Sequence, residues 1–109
     1  MKLTGKCKED FNKYLVININ NNKYPYSFYE LPDPMKYGVY VDFFDSVSMN
    51  LYIKPVPTLK ELKGRFGVYI DDFGHHLLSE YIYRDTRQEA RCVIIEKANE
   101  IYNENKDNN

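Results

Sequence analysis

The sequence predicts an α+β domain with two N-terminal helices, a three-stranded antiparallel meander and a C-terminal helix packed on the sheet. Apolar and polar residues alternate in three short segments between Met49 and Tyr83, which is typical of strands. Apolar residues recur every three or four positions in two segments before that region and in one after it, which is typical of amphipathic helices. Helices that precede and follow a short meander are expected to pack together on one face of the sheet.

The first helix is predicted from about Gly5 to Ile17. Its apolar stripe consists of Cys7, Phe11, Tyr14 and Leu15. Thr4 is the candidate N-cap, because a threonine hydroxyl can accept a hydrogen bond from a backbone amide of the first turn. Polar residues 20–23 end the helix, and residues 24–31 are predicted to form a connector.

The second helix is predicted over residues 34–47, beginning at the dipeptide Asp33-Pro34. Aspartate suits the N-cap, and proline suits the first helical position, where no amide donor is needed. The apolar residues at helical spacing are Met35, Val39, Tyr40, Phe43, Phe44 and Val47. A strand is the alternative, because residues 39, 41 and 43 are all apolar and Gly38 costs a helix about 1 kcal/mol relative to alanine.

The meander is predicted from three alternating segments. The first strand covers residues 49–54 and is stopped by Pro55, and the second covers residues 66–71. Turn residues 72–75 then lead to a third strand from about His76 to Tyr83. Residues 55–64 are predicted to form a loop, with Leu59 and Leu62 as candidate anchors.

The last helix is predicted from about Arg87 to Asn103. Thr86 and Glu89 have the spacing of a capping box, in which the hydroxyl and the carboxylate each satisfy a backbone amide left over at the helix start. Residues 1–103 are therefore predicted to form a single domain, and residues 104–109 a disordered polar tail.

Length and charge limit the classes of function. A chain of 109 residues with a net charge of -1 is long enough for one core, and it lacks the basic excess of a protein that binds mainly by neutralising phosphates. No secretory signal or membrane-spanning stretch is present, so a cytoplasmic protein without membrane contact is expected. Cys7 and Cys92 both fall on apolar helical stripes, which predicts two buried free thiols, with a disulfide as the alternative.

The candidate binding surface follows from the alternation in the strands. The aliphatic residues assigned to the helix side are Leu51, Ile53, Phe66, Val68, Ile70, Leu78 and Ile82. The opposite side then carries Tyr52, Lys54, Tyr69, Tyr81 and Tyr83. Tyrosines on an open sheet face provide rigid, amphipathic contact area for a partner. The alternative is that one of the first two helices covers this face and makes it a second core layer.

No residue cluster predicts catalysis, a cofactor or a metal. Asp71, Asp72, His75 and His76 are close in sequence and could bind a divalent ion. Adjacent strand residues point to opposite faces, however, so a solvated turn is the better interpretation. Asp42 and Asp45 are assigned to the solvent side of the second helix. No nucleophile elbow or phosphate-binding glycine loop occurs, so the protein is not expected to be an enzyme.

The start of the last helix resembles the corresponding helix of double-stranded RNA-binding domains. Arg87 and Arg91 match two basic positions of that family, and Ala90 matches its alanine. The resemblance implies contact with phosphates across a groove. Gln88 replaces a basic residue, a further helix precedes the sheet, and the domain is not basic. Arginines that pair with Glu80 or Glu89 on the helix surface are the alternative explanation.

Three longer segments resemble small accessory proteins of tailed phages and prophages of gut Bacteroidetes. The segments are Leu3–Phe11, Gly38–Val47 and Thr86–Asn103. The resemblance implies a phage accessory protein in the cytoplasm of a bacterial host, but it transfers no activity or catalytic residue. The expected function is non-enzymatic, stoichiometric binding to a host protein, as in an inhibitor of a defence system. The alternatives are a nucleic-acid-binding module and a nucleotide-signal-binding protein, and an exposed apolar patch would also allow a homodimer.

Overall fold

A computed structural model describes residues 1–20, 27–56, 65–72 and 74–107. The helices are α1 (Gly5–Asn20), α2 (Asp33–Ser46) and α3 (Arg87–Asp107), with a 3₁₀ turn at Phe28–Glu30. The strands are β1 (Asn50–Pro55), β2 (Phe66–Asp72), β3 (His75–His76) and β4 (Ile82–Arg84). The predicted α+β class and the packing of the C-terminal helix on the sheet are confirmed.

The sheet is antiparallel, and β2 is its central strand. β1 pairs with the whole of β2, so that Leu51 lies opposite Ile70. β3 and β4 share the other side of β2, where Asp71 pairs with His76 and Val68 pairs with Ile82. β1 therefore lies on one side of β2, and β3 and β4 follow each other along its other side, as the third strand of a meander would.

The prediction of one continuous third strand over residues 76–83 was wrong. Between the last pair of β3 and the first pair of β4, two residues of β2 face the five residues 77–81. Leu77 still donates a backbone hydrogen bond of 2.9 Å to Ile70, but Leu77 and Leu78 both pack against the core. Successive residues of a regular strand point to opposite faces, so two adjacent inward side chains require the strand to break.

The second helix, left open as helix or strand, is a helix that begins one residue earlier than predicted. Its N-cap is Pro32, whose carbonyl accepts hydrogen bonds from the amides of Met35 and Lys36 at 3.0 Å. Asp33 lies in the first turn instead of capping it, so the capping role assigned to Asp33 was wrong. The buried residues of α2 are Val39, Tyr40, Phe43 and Phe44, whereas Met35 and Val47 are exposed.

The N-terminus of α1 is capped by α3. The amide of Cys7 donates to Oδ1 of Asn103 at 2.8 Å, and Nδ2 of Asn103 donates to the carbonyl of Thr4 at 3.0 Å. The hydroxyl of Thr4 does not cap the helix as predicted, because it accepts from Nδ2 of Asn99 at 3.0 Å. Gly5 has a φ of +59°, and a Cβ there would lie 3.2 Å from the amide group of Asn103. The close approach of the two helix ends therefore requires glycine.

A single core lies between the helices and the aliphatic side of the sheet. Its helical half is aromatic: the ring centroid of Phe11 lies 5.0 to 5.3 Å from those of Phe28, Tyr40 and Phe43. On the sheet side, Ile94 and Ile95 of α3 are fully buried. Burial of each such side chain stabilises the fold by about 1.5–3 kcal/mol.

The helix α3 begins at the predicted Thr86–Glu89 pair, but only the hydroxyl half of the capping box is formed, because the Glu89 carboxylate accepts from the Thr86 hydroxyl and not from a backbone amide. Oγ1 of Thr86 accepts from the amide of Glu89 at 3.1 Å, and its hydroxyl donates to the Glu89 carboxylate at 3.1 Å. The helix continues to Asp107, so residues 104–107 are helical where a disordered tail was predicted. The prediction that Cys92 is buried was wrong: it is exposed, whereas Cys7 is fully buried. A position two residues from Ala90 points to the opposite side of a helix, and Ala90 is on the buried side.

Several predictions fall on residues outside the described ranges. These are most of the loop 55–64 with Leu59 and Leu62, the first part of the connector 24–31, and the last two residues of the tail. Within the described residues, none of the helices combines the length and the apolar character that crossing a membrane requires.

Candidate functional site: a tyrosine face on the open side of the sheet

The two sides of the sheet have different environments. All seven aliphatic and aromatic residues assigned to the helix side belong to the core or pack against it. The opposite side carries Tyr52 and Lys54 from β1, Gly67, Tyr69 and Asp71 from β2, and His76 and Tyr83 from β3 and β4. This set is called the tyrosine face. Its three tyrosines are half-buried and neither belong to the core nor pack against it, so no described helix makes this face a second core layer.

Tyr52 and Tyr69 form a stacked pair at the centre of the tyrosine face. They are direct cross-strand partners, and their ring centroids are 5.4 Å apart with an angle of 15° between the ring planes. The ammonium of Lys54 lies 5.1 Å from the centroid of Tyr52 and 5.5 Å from that of Tyr69. Stacking and the cation–π contact each contribute about 0.5–1.5 kcal/mol and fix the relative positions of the three side chains.

A carboxylate holds the hydroxyl of Tyr52. Tyr52 donates a hydrogen bond of 2.8 Å to Oδ2 of Asp71, and Nδ2 of Asn50 donates to Oδ1 at 3.2 Å. The hydrogen bond to Asp71 raises the pKa of Tyr52 above its ordinary value. The same hydrogen bond holds the ring of Tyr52 in one orientation.

Gly67 allows the ring of Tyr69 to lie against the strand. A Cβ at Gly67 would be 2.8 Å from the Tyr69 hydroxyl oxygen and 2.9 Å from Cε2 of its ring. Both distances are shorter than real Cβ contacts, so any side chain at residue 67 would displace the ring. Gly67 was not among the residues predicted for the binding surface. Its two-residue spacing from Tyr69 places both on one face and is the signal that could have identified it.

The two remaining tyrosines of the predicted surface differ from each other. Tyr83 pairs with Gly67 in the ladder and is half-buried on the tyrosine face. Tyr81 lies in the interruption between β3 and β4 and is 86% exposed. Because it is not part of a strand, Tyr81 is not held on the sheet face as predicted.

Arg87 and Arg91, the candidate nucleic-acid contacts, lie apart from the tyrosine face. The guanidinium of Arg87 is 4.8 Å from the ring centroid of Phe66, whose side chain is on the helix side of the sheet. The guanidinium of Arg91 is 5.4 Å from the ring of Tyr37 in α2. Within the described ranges, neither arginine forms the ion pair with Glu80 or Glu89 that was the alternative explanation. Instead, Lys97 binds Glu80 at 3.4 Å and Thr86 binds Glu89.

The acidic residues and histidines do not form a metal site in the described part of the chain. His75 and His76 are both exposed, and they pair in the ladder with Asp72 and Asp71 respectively. The two pairs therefore point to opposite sides of the sheet. Across the residues that the structure describes, no group of three or more histidines, cysteines or carboxylates is arranged to hold an ion.

Comparison with known proteins found no matching family model, no similar curated protein and no similar solved structure. The function therefore has to be inferred from the residues of this chain.

Proposed function

We propose that this chain is a non-enzymatic binding protein whose tyrosine face docks stoichiometrically onto a partner protein. The observation that carries the proposal is the stacked pair Tyr52–Tyr69, fixed from one side by Asp71 and from the other by Lys54. Side chains that are already ordered lose little conformational entropy when a partner binds. Tyrosine is also enriched in the central part of protein interfaces, where hot spots occur.

The chemistry of the tyrosine face favours a protein over a nucleic acid. A strand of nucleic acid requires several cations along its backbone and free ring faces on which bases stack. Among its members, Lys54 is the one full cation, and Asp71 contributes a carboxylate. The rings of Tyr52 and Tyr69 stack on each other, so those two ring faces are not free to stack on bases. The candidate arginines, Arg87 and Arg91, lie away from the tyrosine face.

The charges on the tyrosine face define the partner surface that fits it. Lys54 is exposed and forms no ion pair with any described residue, so a carboxylate on the partner is its expected counterpart. The rings of Tyr52, Tyr69 and Tyr83 fit an apolar or aromatic patch beside that carboxylate. The resemblance of three segments to phage accessory proteins supports a bacterial host protein as the partner, and a component of a defence system is the class we propose.

The experiment is affinity capture from a Bacteroidetes lysate, followed by titration of the recovered protein. The test variants are the double substitution Tyr52→Ser/Tyr69→Ser and the charge reversal Lys54→Glu. The control is Tyr29→Ala, which removes a tyrosine that is 68% exposed in the 3₁₀ turn. We expect each test variant to weaken binding at least about tenfold, or 1.4 kcal/mol, and the control to change it less than about twofold.

Two outcomes would contradict the proposed function. One is a partner that binds the double variant, shown by its thermal unfolding to be folded, as tightly as it binds the wild type. The other is the absence of any stoichiometric protein partner together with RNA binding that falls steeply with salt. That second result would assign the protein to the nucleic-acid-binding class.

A further inference from the structure

A cleft with cationic and aromatic walls lies away from the tyrosine face. It has a volume of about 310 Å³ and is bounded by the N-terminal segment, α1, the 3₁₀ turn and α2. Its chemically informative lining residues are Lys2, Lys8, Lys36, Phe28, Tyr29 and Tyr40. This set is called the lysine cleft. Its volume is at the lower end of the range of about 300–1,000 Å³ in which proteins bind small ligands.

The inner wall of the lysine cleft is aromatic and rigid. Phe28 and Tyr40 are buried, and their ring centroids are 5.2 Å apart at an angle of 71°. Tyr29 stands at the rim with its ring centroid 5.3 Å from that of Phe28. The two buried rings form the floor of the cleft, and the 68% exposed ring of Tyr29 offers the face against which a planar ligand can stack.

The rim of the lysine cleft carries three lysines from three different parts of the chain. Lys2 comes from the N-terminal segment, Lys8 from α1 and Lys36 from α2, and no carboxylate is among the lining residues. In the described part of the structure none of the three forms an ion pair. By contrast, the ammonium of Lys6 forms ion pairs with two carboxylates, at N–O distances of 3.6 and 3.4 Å. That of Lys97 also forms two, at 3.4 and 3.5 Å. Three lysines that line one cleft without an ion-pair partner supply positive charge that a bound anion would neutralise.

Tyr40 adds a hydrogen-bond donor to the inner wall. Its hydroxyl donates to the carbonyl of Met1 at 3.4 Å, which is longer than an ordinary hydrogen bond between oxygens. Burial raises the pKa of Tyr40 to about 12, so the hydroxyl remains a donor throughout the neutral range. The bond that it makes is weak enough to be exchanged for one to a ligand.

We propose that the lysine cleft binds a nucleoside monophosphate, with the base against Tyr29 and the phosphate among Lys2, Lys8 and Lys36. The ligand must combine a planar ring with a compact anion, because the cleft presents aromatic walls and cations within one small volume. A volume near the lower limit for ligand sites favours a mononucleotide over a dinucleotide. This site and its ligand are independent of the tyrosine face.

The test is isothermal titration calorimetry of the full chain with the adenosine, guanosine, cytidine and uridine 5′-monophosphates at low salt. Adenosine and inorganic phosphate are titrated separately. We expect at least one monophosphate to bind with a Kd below about 1 mM, and both the nucleoside and phosphate alone to bind at least about tenfold more weakly. The affinity should fall as salt is added, because part of it is electrostatic.

Variants locate the ligand. Lys8→Gln/Lys36→Gln should raise the Kd at least about tenfold, whereas Lys13→Gln/Lys54→Gln, with the same change of charge outside the cleft, should leave it within about twofold. Tyr29→Ala should also raise the Kd, because it removes the exposed ring of the cleft. Tyr52→Ser/Tyr69→Ser should bind the nucleotide normally, which separates this site from the proposed protein interface.

Three results would overturn the proposal. They are the absence of binding by all four monophosphates, equal affinity for inorganic phosphate or adenosine alone, and equal loss of affinity in the two lysine double variants. Ligand-induced NMR shifts confined to residues 50–54 and 66–72 would also exclude it, since those residues belong to β1 and β2.

Discussion

The absence of a side chain at Gly67 fixes the position of the Tyr69 ring. In the Gly67→Ala variant the ring has to move, and its stacking on Tyr52, worth about 0.5–1.5 kcal/mol, is lost. Alanine also lowers the conformational entropy of the unfolded chain, which stabilises the folded protein by about 0.4–1 kcal/mol and offsets part of that loss. We therefore expect a change of less than about 1 kcal/mol in the free energy of unfolding, but large shifts of the ring resonances of both tyrosines in NMR spectra.

Gly38 provides the matched control for that substitution. A Cβ there meets nothing within 4 Å, and the residue is exposed in the middle of α2. Gly38→Ala should stabilise the protein by about 0.5–1 kcal/mol in urea denaturation and leave both tyrosine rings unmoved. Unchanged ring resonances in Gly67→Ala would show that the glycine is not needed for the stack.

The two cysteines should differ sharply in reactivity. Burial raises the pKa of Cys7 to about 12, and its side chain has no exposed surface, whereas Cys92 is exposed on α3. Because the thiolate is the reactive species, we expect a thiol reagent at neutral pH to label one site in the folded protein and two in urea. Mass spectrometry of the labelled peptides identifies the site. Rapid labelling of Cys7 without denaturant would contradict the structure.

The joint between α1 and α3 is the element-scale contact with the clearest energetic signature. Asn103→Ala removes two hydrogen bonds and leaves the amide of Cys7 and the carbonyl of Thr4 without their partner. We expect a loss of about 1–2 kcal/mol in the free energy of unfolding. Asn105→Ala, on an exposed position of the same helix, should cost less than about 0.5 kcal/mol. Equal effects of the two substitutions would show that the cap contributes nothing.

The helices were predictable because each has a periodic apolar stripe and a local start signal. The capping box at Thr86 and the dipeptide Asp33-Pro34 each located a helix start to within one residue. The break in the third strand was not predicted, because alternation assigned Leu78 to the helix side and therefore Leu77 to the opposite side. In the structure both leucines pack against the core. Their joint burial depends on how α3 packs against β2, which no local pattern contains.

The site was predictable only as far as strand alternation extends. Alternation placed Tyr52, Lys54 and Tyr69 on one side of the sheet, but it gave neither the hydrogen bond from Tyr52 to Asp71 nor the need for Gly67. The lysine cleft was not predicted at all. Its lysines are separated by 6 and 28 positions in the sequence. They line one cleft because the ring of Phe11 in α1 packs against those of Tyr40 and Phe43 in α2.

At the scale of the whole molecule, the buried tyrosine hydroxyls and the buried thiol make the free energy of unfolding decrease at alkaline pH. Burial raises the pKa of Cys7 and of Tyr40 to about 12, and burial followed by the hydrogen bond to Asp10 raises that of Tyr102. Above about pH 9 the unfolded chain loses these protons while the folded chain retains them. The unfolded state then binds fewer protons, so the free energy of unfolding decreases as the pH rises.

This dependence can be measured by urea denaturation at about pH 8 and about pH 10.5. The wild type should be less stable at the higher pH, and Tyr40→Phe should show a smaller decrease because one ionising group is gone. Tyr40 is suited to this test, since its hydrogen bond to Met1 is long and its loss should hardly change stability at pH 8. Identical decreases in the two proteins would exclude Tyr40 as a source of the pH dependence.

The joint between α1 and α3 has a consequence for biosynthesis. Its hydrogen bonds connect residues 95 to 99 positions apart, and α3 contacts both other helices and the sheet. Translation delivers α3 after every element that it covers, so the aliphatic side of β2 stays uncovered until α3 has also left the ribosome. The domain is therefore expected to complete its folding only after most of its length has left the exit tunnel.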